Sequence, residues 1–455
     1  MRPTRRTFIA LGASTGVAAA LARFYAPAPA LANPTCTSPT PPRTRAVPWK
    51  IPRGQKTVNR VSAYTYTAAQ WTLLHKAYKA MRALPNSDPR SLEAQQNMHA
   101  WYCAQCAGSP NDIHGSWTFF VWHRGFLFFH ERILGSLVKD MTLRLPYWDW
   151  ENPSRRLLPA QYYTGALNDP TRDLLAGQSV ERTAPGYGYY DLNLVPADIS
   201  LNFAGIGGDA TSSGDVETGC HGFVHMSVGG LSGDMGNLET AAGDPVFFAH
   251  HGNIDRLWYS WENYGGHSDP GGAFPALTFR YYDETKTWRS LTAAQMSPTT
   301  KLGYAYDTTV TPPFSLANLR DIELLVQRNV VVGPPPPGPD RDAITRATTT
   351  VVSLRGLEFA GTGAFVVEAH DAAGAHVVGR FFVVPHGSDS PMTMASRSAN
   401  LRFVVPVATA QALAQRGVTL TVKRSRANGR RTGPLVEGFR PAVPARLQGL
   451  TLSVR

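Results

Sequence analysis

Seven of the thirteen histidines in this chain fall into two groups whose spacing suits metal ligands. In the stretch from Cys220 to Trp258, His221 and His225 form an H-x-x-x-H pair, and His250 and His251 follow. Four residues turn an α-helix through roughly 400°, so His221 and His225 project from one face, a turn apart. Asp244-Pro245 reads as an N-cap followed by a first-position proline. It opens a helix through Val246, Phe247, Phe248, His250, His251, Ile254 and Leu257. One histidine of the His250-His251 pair is expected to face inward and complete a set of three. Upstream, Asp88-Pro89 opens a helix with His99 in its last turn, and His114 and His123 follow. Nine residues would put these two on opposite sides of one helix. His114 is therefore expected on the entry segment Ile113 to Trp117, and His123 on an amphipathic helix running to Asp140. Taken singly, each is more often a core or surface histidine; two sets of three imply two metals.

Six neutral imidazoles with no carboxylate at ligand spacing make borderline-to-soft sites, and at equal geometry the divalent series favours copper over zinc. A zinc ion on three histidines with an open position is the generic alternative, but a second set beside it would then lack a purpose. Two coppers give the pairing a rationale. Each supplies one electron, so two electrons pass together between an organic substrate and O2.

The motifs H-x3-C at His99 to Cys103, H-x8-H-R at His114 to Arg124, H-x3-H at His221 to His225, and DPxFFxHHxNxDRxW at Asp244 to Trp258 resemble those of the type-3 copper proteins. The likeness is greatest to the plant-type polyphenol oxidases, the catechol oxidases and tyrosinases. PYWDWENP from Pro146, FRYYDETKTW from Phe279 and KLGYAYD from Lys301 extend it over roughly Arg60 to Asp307. The resemblance implies a first copper on His99, His114 and His123 and a second on His221, His225 and His251, with His250 a neighbour. It also implies a thioether between Cys103 and the His114 ring. Glu217 stands where the family holds a water near the second copper, against the plainer reading of a cap or surface acid. Gly222 stands where efficient hydroxylases often carry Asn, and Leu238 where many relatives place a Phe over the second copper. The implied activity is oxidation of o-diphenols to o-quinones by O2, with weaker hydroxylation of monophenols; a dioxygen carrier without catalysis is the other reading.

Residues 1–32 carry a twin-arginine pattern, an apolar run too short to span a bilayer and an A-x-A end, which read as a signal for the twin-arginine export machinery and a periplasmic or secreted protein. The formal charge of +11 falls to about +7 once the four arginines of that segment are gone. No Lys/Arg block or basic aromatic stripe appears, which argues against nucleic-acid binding. Four cysteines exclude a disulfide-built scaffold. Cys36 and Cys106 are a candidate bridge, and Cys220 reads as a buried free thiol. His75 and His130 read as structural, and His370, His376 and His386 as surface residues.

The expected fold is mainly α: a catalytic domain over 33–332, a four-helix bundle wrapped in long loops around the two coppers. A Pro-rich linker at 333–340 and a C-terminal all-β sandwich over 341–455 follow. That last domain is a candidate shield for the site, with Phe359, Phe381, Met392 or Met394 as candidate plugs for a phenol-sized pocket.

Overall fold

The computed structural model describes most of residues 45–424; residues 1–44, 104–112, 182–189, 312–318, 334–348, 385–395 and 425–455, with scattered shorter stretches, lie outside the description. The signal segment, Cys36, Cys106, the proline run, His386, Met392 and Met394 therefore lie outside the described residues.

The N-terminal part is a helical core. In α1 (Ala68–Arg82) the Thr67 hydroxyl and the Gln70 side chain cap each other's amides, and Trp71, Leu74, Tyr78 and Met81 are buried along one face. Helix α2 (Leu92–Cys103) begins later than the Asp88-Pro89 signal suggests, because the Asp88 carboxylate is taken by Arg90 and Lys286 while Ser91 Oγ accepts from the Ala94 amide at 3.1 Å. Helix α3 (Thr118–Val138) starts five residues before His123, has buried residues on every face, and ends at Lys139 in the left-handed region. A π-helical turn over Glu217–His221 leads into α4 (Gly222–Gly229). Asp244 starts α5 (Val246–Glu262) by accepting from the Val246 amide at 2.8 Å, as its position before proline implies. Among the described residues, no helix is long and apolar enough to cross a membrane.

Ionic contacts inside this core fix the angle between α3 and α5. Arg124 of α3 donates to Asp255 of α5 at 2.6 Å and pairs with Glu262 at 2.9 Å. Arg60, from β2 (Val58–Arg60), reaches Asp255 at 3.2 Å and Glu131 at 3.0 Å. The Tyr304 and Tyr306 hydroxyls of β5 (Tyr304–Tyr306) complete the shell of Asp255 at 2.6 Å each. Two cations hold that carboxyl below its ordinary range although burial alone would raise it.

The C-terminal part differs from the expected sandwich in two respects. Its strands form one seven-stranded sheet in the order β10 (Gly374–Val383), β9 (Gly363–Asp371), β12 (Thr419–Arg424), β7 (Val330–Gly333), β6 (Leu319–Gln327), β8 (Thr349–Ala360) and β11 (Ser396–Val404). The sheet begins before the proline run: β6 (Leu319–Gln327) pairs in parallel with β8 (Thr349–Ala360), and β7 (Val330–Gly333) pairs with β6 and β12 (Thr419–Arg424). The prolines thus join two strands of one sheet, since a run that cannot donate to a ladder breaks strands inside a domain as readily as between domains. The remaining strands, β9 (Gly363–Asp371), β10 (Gly374–Val383) and β11 (Ser396–Val404), are antiparallel to their neighbours. Phe359, Phe365 and Phe381 stack together in a separate apolar core of this sheet.

Candidate metal centre

His221 closes the π turn and His225 lies one α turn further, their ring centroids 4.6 Å apart. Gly219 lets the turn pack tightly, since a Cβ there would lie 2.8 Å from the Tyr190 hydroxyl. Helix α5 adds the other two rings, and one nitrogen from each of His221, His225, His250 and His251 lies within 4.8 Å of the rest. In the first set, α2 supplies His99 and α3 supplies His123, while His114 lies on the bend before α3. Ring centroids there are 5.2 Å apart for His114 and His123 and 5.6 Å apart for the other two pairs.

Backbone carbonyls orient these rings. Nδ1 of His221 meets Glu217 O at 3.1 Å, His225 Nδ1 meets Met235 O at 2.7 Å, His99 Nδ1 meets Leu238 O at 2.9 Å and His123 Nδ1 meets Phe119 O at 2.8 Å. A carbonyl only accepts, so each Nδ1 carries the hydrogen and each Nε2 keeps its lone pair. Nε2 of His99 and Nε2 of His123 then face each other at 3.5 Å with no hydrogen between them. Nε2 of His225 and Nε2 of His251 lie 3.3 Å apart. Two nitrogens bound tetrahedrally to one ion at about 2.0–2.1 Å would be roughly 3.3 Å apart. Nε2 of His221 and Nδ1 of His251 are buried without a hydrogen-bond partner among the described residues. Burial keeps the rings neutral: it lowers His123 to about 3 and His225 to about 4, and it holds His221 and His251 well below the ordinary value, with neighbouring imidazoles adding to the effect. The donor set fits two copper ions.

The two sets abut. His123 stacks on His251 at 4.2 Å and 11°, and His114 on His221 at 5.8 Å and 21°. Phe119 and Phe247 line both, each in ring contact with His123 and His251. This dry aromatic wall excludes water and fixes the ligand rings.

Cys103 Sγ lies 3.3 Å from Nε2 and 3.5 Å from Nδ1 of His99, in a group with His114. Glu217 Oε1 accepts from the Gly115 amide at 2.6 Å, which ties the His114 bend to the turn carrying His221. Leu238 is buried, and its carbonyl serves His99 of the first set. A Cβ on Gly222 would lie 2.8 Å from Phe382 O, because β10 crosses directly over α4. Phe359 and Phe381 fill the sheet's own interior, so neither is a plug; Phe382, next along the strand, points the opposite way onto Phe223 and Tyr190. Period-two alternation in HVVGRFFVVP allowed either neighbour to be the outward one. Cys220 is buried with Sγ 3.5 Å from Val216 O. His130 lies flat on Phe248 at 3.4 Å and meets the Tyr78 hydroxyl, and His370 meets Thr421 Oγ1.

The fold and site define a buried, all-histidine binuclear metal protein. The description "Common central domain of tyrosinase" matches residues 89–190 and 198–264. Polyphenol oxidase A1 of Vicia faba is 32% identical over 304 residues, 58% of this chain and 50% of that protein. The Vitis vinifera polyphenol oxidase is 31% identical over 311 residues, 60% of this chain and 51% of that protein. The crystal structure of Grenache (Vitis vinifera) polyphenol oxidase is 30% identical, with a TM-score of 0.55 over 62% of this chain and 94% of that one. Latent apple tyrosinase, at 24% identity and a TM-score of 0.65, shares the fold over 83% of this chain and 96% of its own. The chain belongs to the tyrosinase family, among the plant-type polyphenol oxidases. It spans about half the length of the curated relatives it matches.

Proposed function

We propose that this protein is a copper-dependent polyphenol oxidase that oxidises o-diphenols to o-quinones, two diphenols and one O2 giving two quinones and two waters. The observation that carries this reading is the pair of abutting histidine sets, neutral and buried, each with two Nε2 atoms at ligand spacing within it. Two coppers held there supply paired one-electron redox chemistry toward O2 and the diphenol. The chain's own residues hold four of the six rings, His99, His123, His221 and His225, through backbone carbonyls and exclude water with Phe119 and Phe247. The ligand set is His99, His114 and His123 with His221, His225 and His251; His114 lies on the bend before α3, and the other five are carried on four helical segments that we read as the expected four-helix bundle. Metal analysis with catechol-dependent O2 uptake tests the proposal: two coppers with uptake support it, copper without uptake means a carrier, and a single zinc means another chemistry.

Glu217 suits a base for phenols because its carboxylate sits between the His114 bend and the His221 turn. Cys103, within reach of both His99 and His114, supports the thioether reading; the linked peptides would be lighter by one hydrogen pair. The sheet is read as a shield whose plug is Phe382. The twin-arginine segment supports export, which the N-terminus of secreted protein would report.

A further inference from the structure

Trp150 and His250 are both fully buried, and the ligand set leaves both unused. The segment holding Trp150 is tied to α5 just before His250, the Trp148 amide donating to Ala249 O at 3.0 Å. Trp150 Nε1–H donates to His250 Nδ1 at 3.1 Å. An indole nitrogen can only donate, so His250 Nδ1 must present a lone pair. That contact excludes the imidazolium and the Nδ1–H tautomer alike and leaves the ring hydrogen on Nε2. His250 Nε2 is buried and has no hydrogen-bond partner among the described residues, although a nitrogen of His250 lies within 4.8 Å of those of His221, His225 and His251. The His250 ring also runs parallel to that of His221, at 5.5 Å and 15°. A nitrogen bearing hydrogen cannot ligate a metal, and a buried donor is costly to leave unmade. No group among the described residues accepts from it, which leaves the position open to an acceptor on a bound ligand.

We infer that Trp150 locks His250 as an Nε2–H donor, not a fourth ligand, and that this donor serves an anionic oxygen bound at the second histidine set: a phenolate or the carboxylate of an aryl acid. The inference rests on the copper reading above. Trp150 is its positioning residue.

The test uses the full chain labelled with nitrogen-15 histidine, loaded with copper and reduced to Cu(I), which is diamagnetic. His250 should show a pyrrole-type Nε2 and a pyridine-type Nδ1 both with and without metal. Benzoate then serves as the anionic probe. His250→Leu and Trp150→Phe should keep two coppers and weaken benzoate binding by about 3- to 10-fold, while His250→Gln, which retains an N–H, restores most of it. A hydrogen on Nδ1, an Nε2 resonance that shifts as a ligand on copper loading, or unchanged benzoate affinity in the variants would overturn the inference. The wild-type spectrum decides the tautomer even where Trp150→Phe fails to fold. A chain that binds no copper yet shows Nε2–H sinks the copper reading and the donor's partner with it; Nδ1–H in a chain with two coppers overturns this inference alone.

Discussion

The helical core and the C-terminal sheet are packed from different materials. The sheet's interior is apolar throughout its described residues, from Val352 and Leu354 to Leu413 and Leu420. The helical core buries Arg60, Arg124, Arg172 and Arg256 with carboxylate partners, besides its aromatic residues. Apolar burial is non-directional and suffices for a cover. Ligand rings must point at a fixed place, and only directional bonds between elements hold them there. Buried ion pairs add little net stability, so their presence around α3 and α5 marks a demand for geometry.

The difference between the two regions is greatest at Asp255. Asp255→Asn leaves Arg60 and Arg124 short of charge, and it should cost about 3–5 kcal/mol in urea unfolding and lower copper occupancy. Phe359→Ala in the sheet should cost a similar 3–5 kcal/mol by opening a cavity, yet leave two coppers per chain. Equal copper loss in both variants would mean that the two regions are not built for different tasks.

A smaller effect is expected where the regions meet. Phe382→Gly in the full chain should raise catechol turnover several-fold at constant copper content, measured as initial O2 uptake. Gly222→Asn should act partly the same way, because its side chain must displace β10. The double variant separates this opening from any gain in the monophenol-to-diphenol ratio. Truncation at the prolines would split the sheet between β7 and β8, so the informative truncation ends before Leu319.

The smallest effect is in pH. Burial first, and then the Asp169 carboxylate beside it, raises Asp234 to about 6. A carboxyl raised on folding adds stability below the unfolded value that is lost as pH rises through the folded one. Stability should therefore fall between about pH 4 and 6 and level off above, and Asp234→Asn should flatten that slope in thermal unfolding followed across the range.

Much of the centre was legible in the sequence because ligand spacing is local. His221 and His225 need only a helical turn, and Asp244-Pro245 announces α5. The partners that orient the rings were not legible: Met235 and Leu238 act through carbonyls, which leave no mark on residue type. Leu238 was expected over the second copper from its side chain, whereas its backbone serves the first set. Trp150 read only as part of the PYWDWENP run, since the acceptor of its indole lies 100 residues away. The sheet's start at Leu319 was hidden because prolines signal an interruption without saying whether pairing resumes in the same sheet.

Whether two histidine sets hold two coppers that act together is decided by His251→Ala in parallel with wild type. Wild-type chain matured with copper should hold two ions and consume O2 only when catechol is present, while His251→Ala loses the second ion and all uptake. One zinc and no copper in the wild type, or catechol oxidation that survives His251→Ala, would contradict the account.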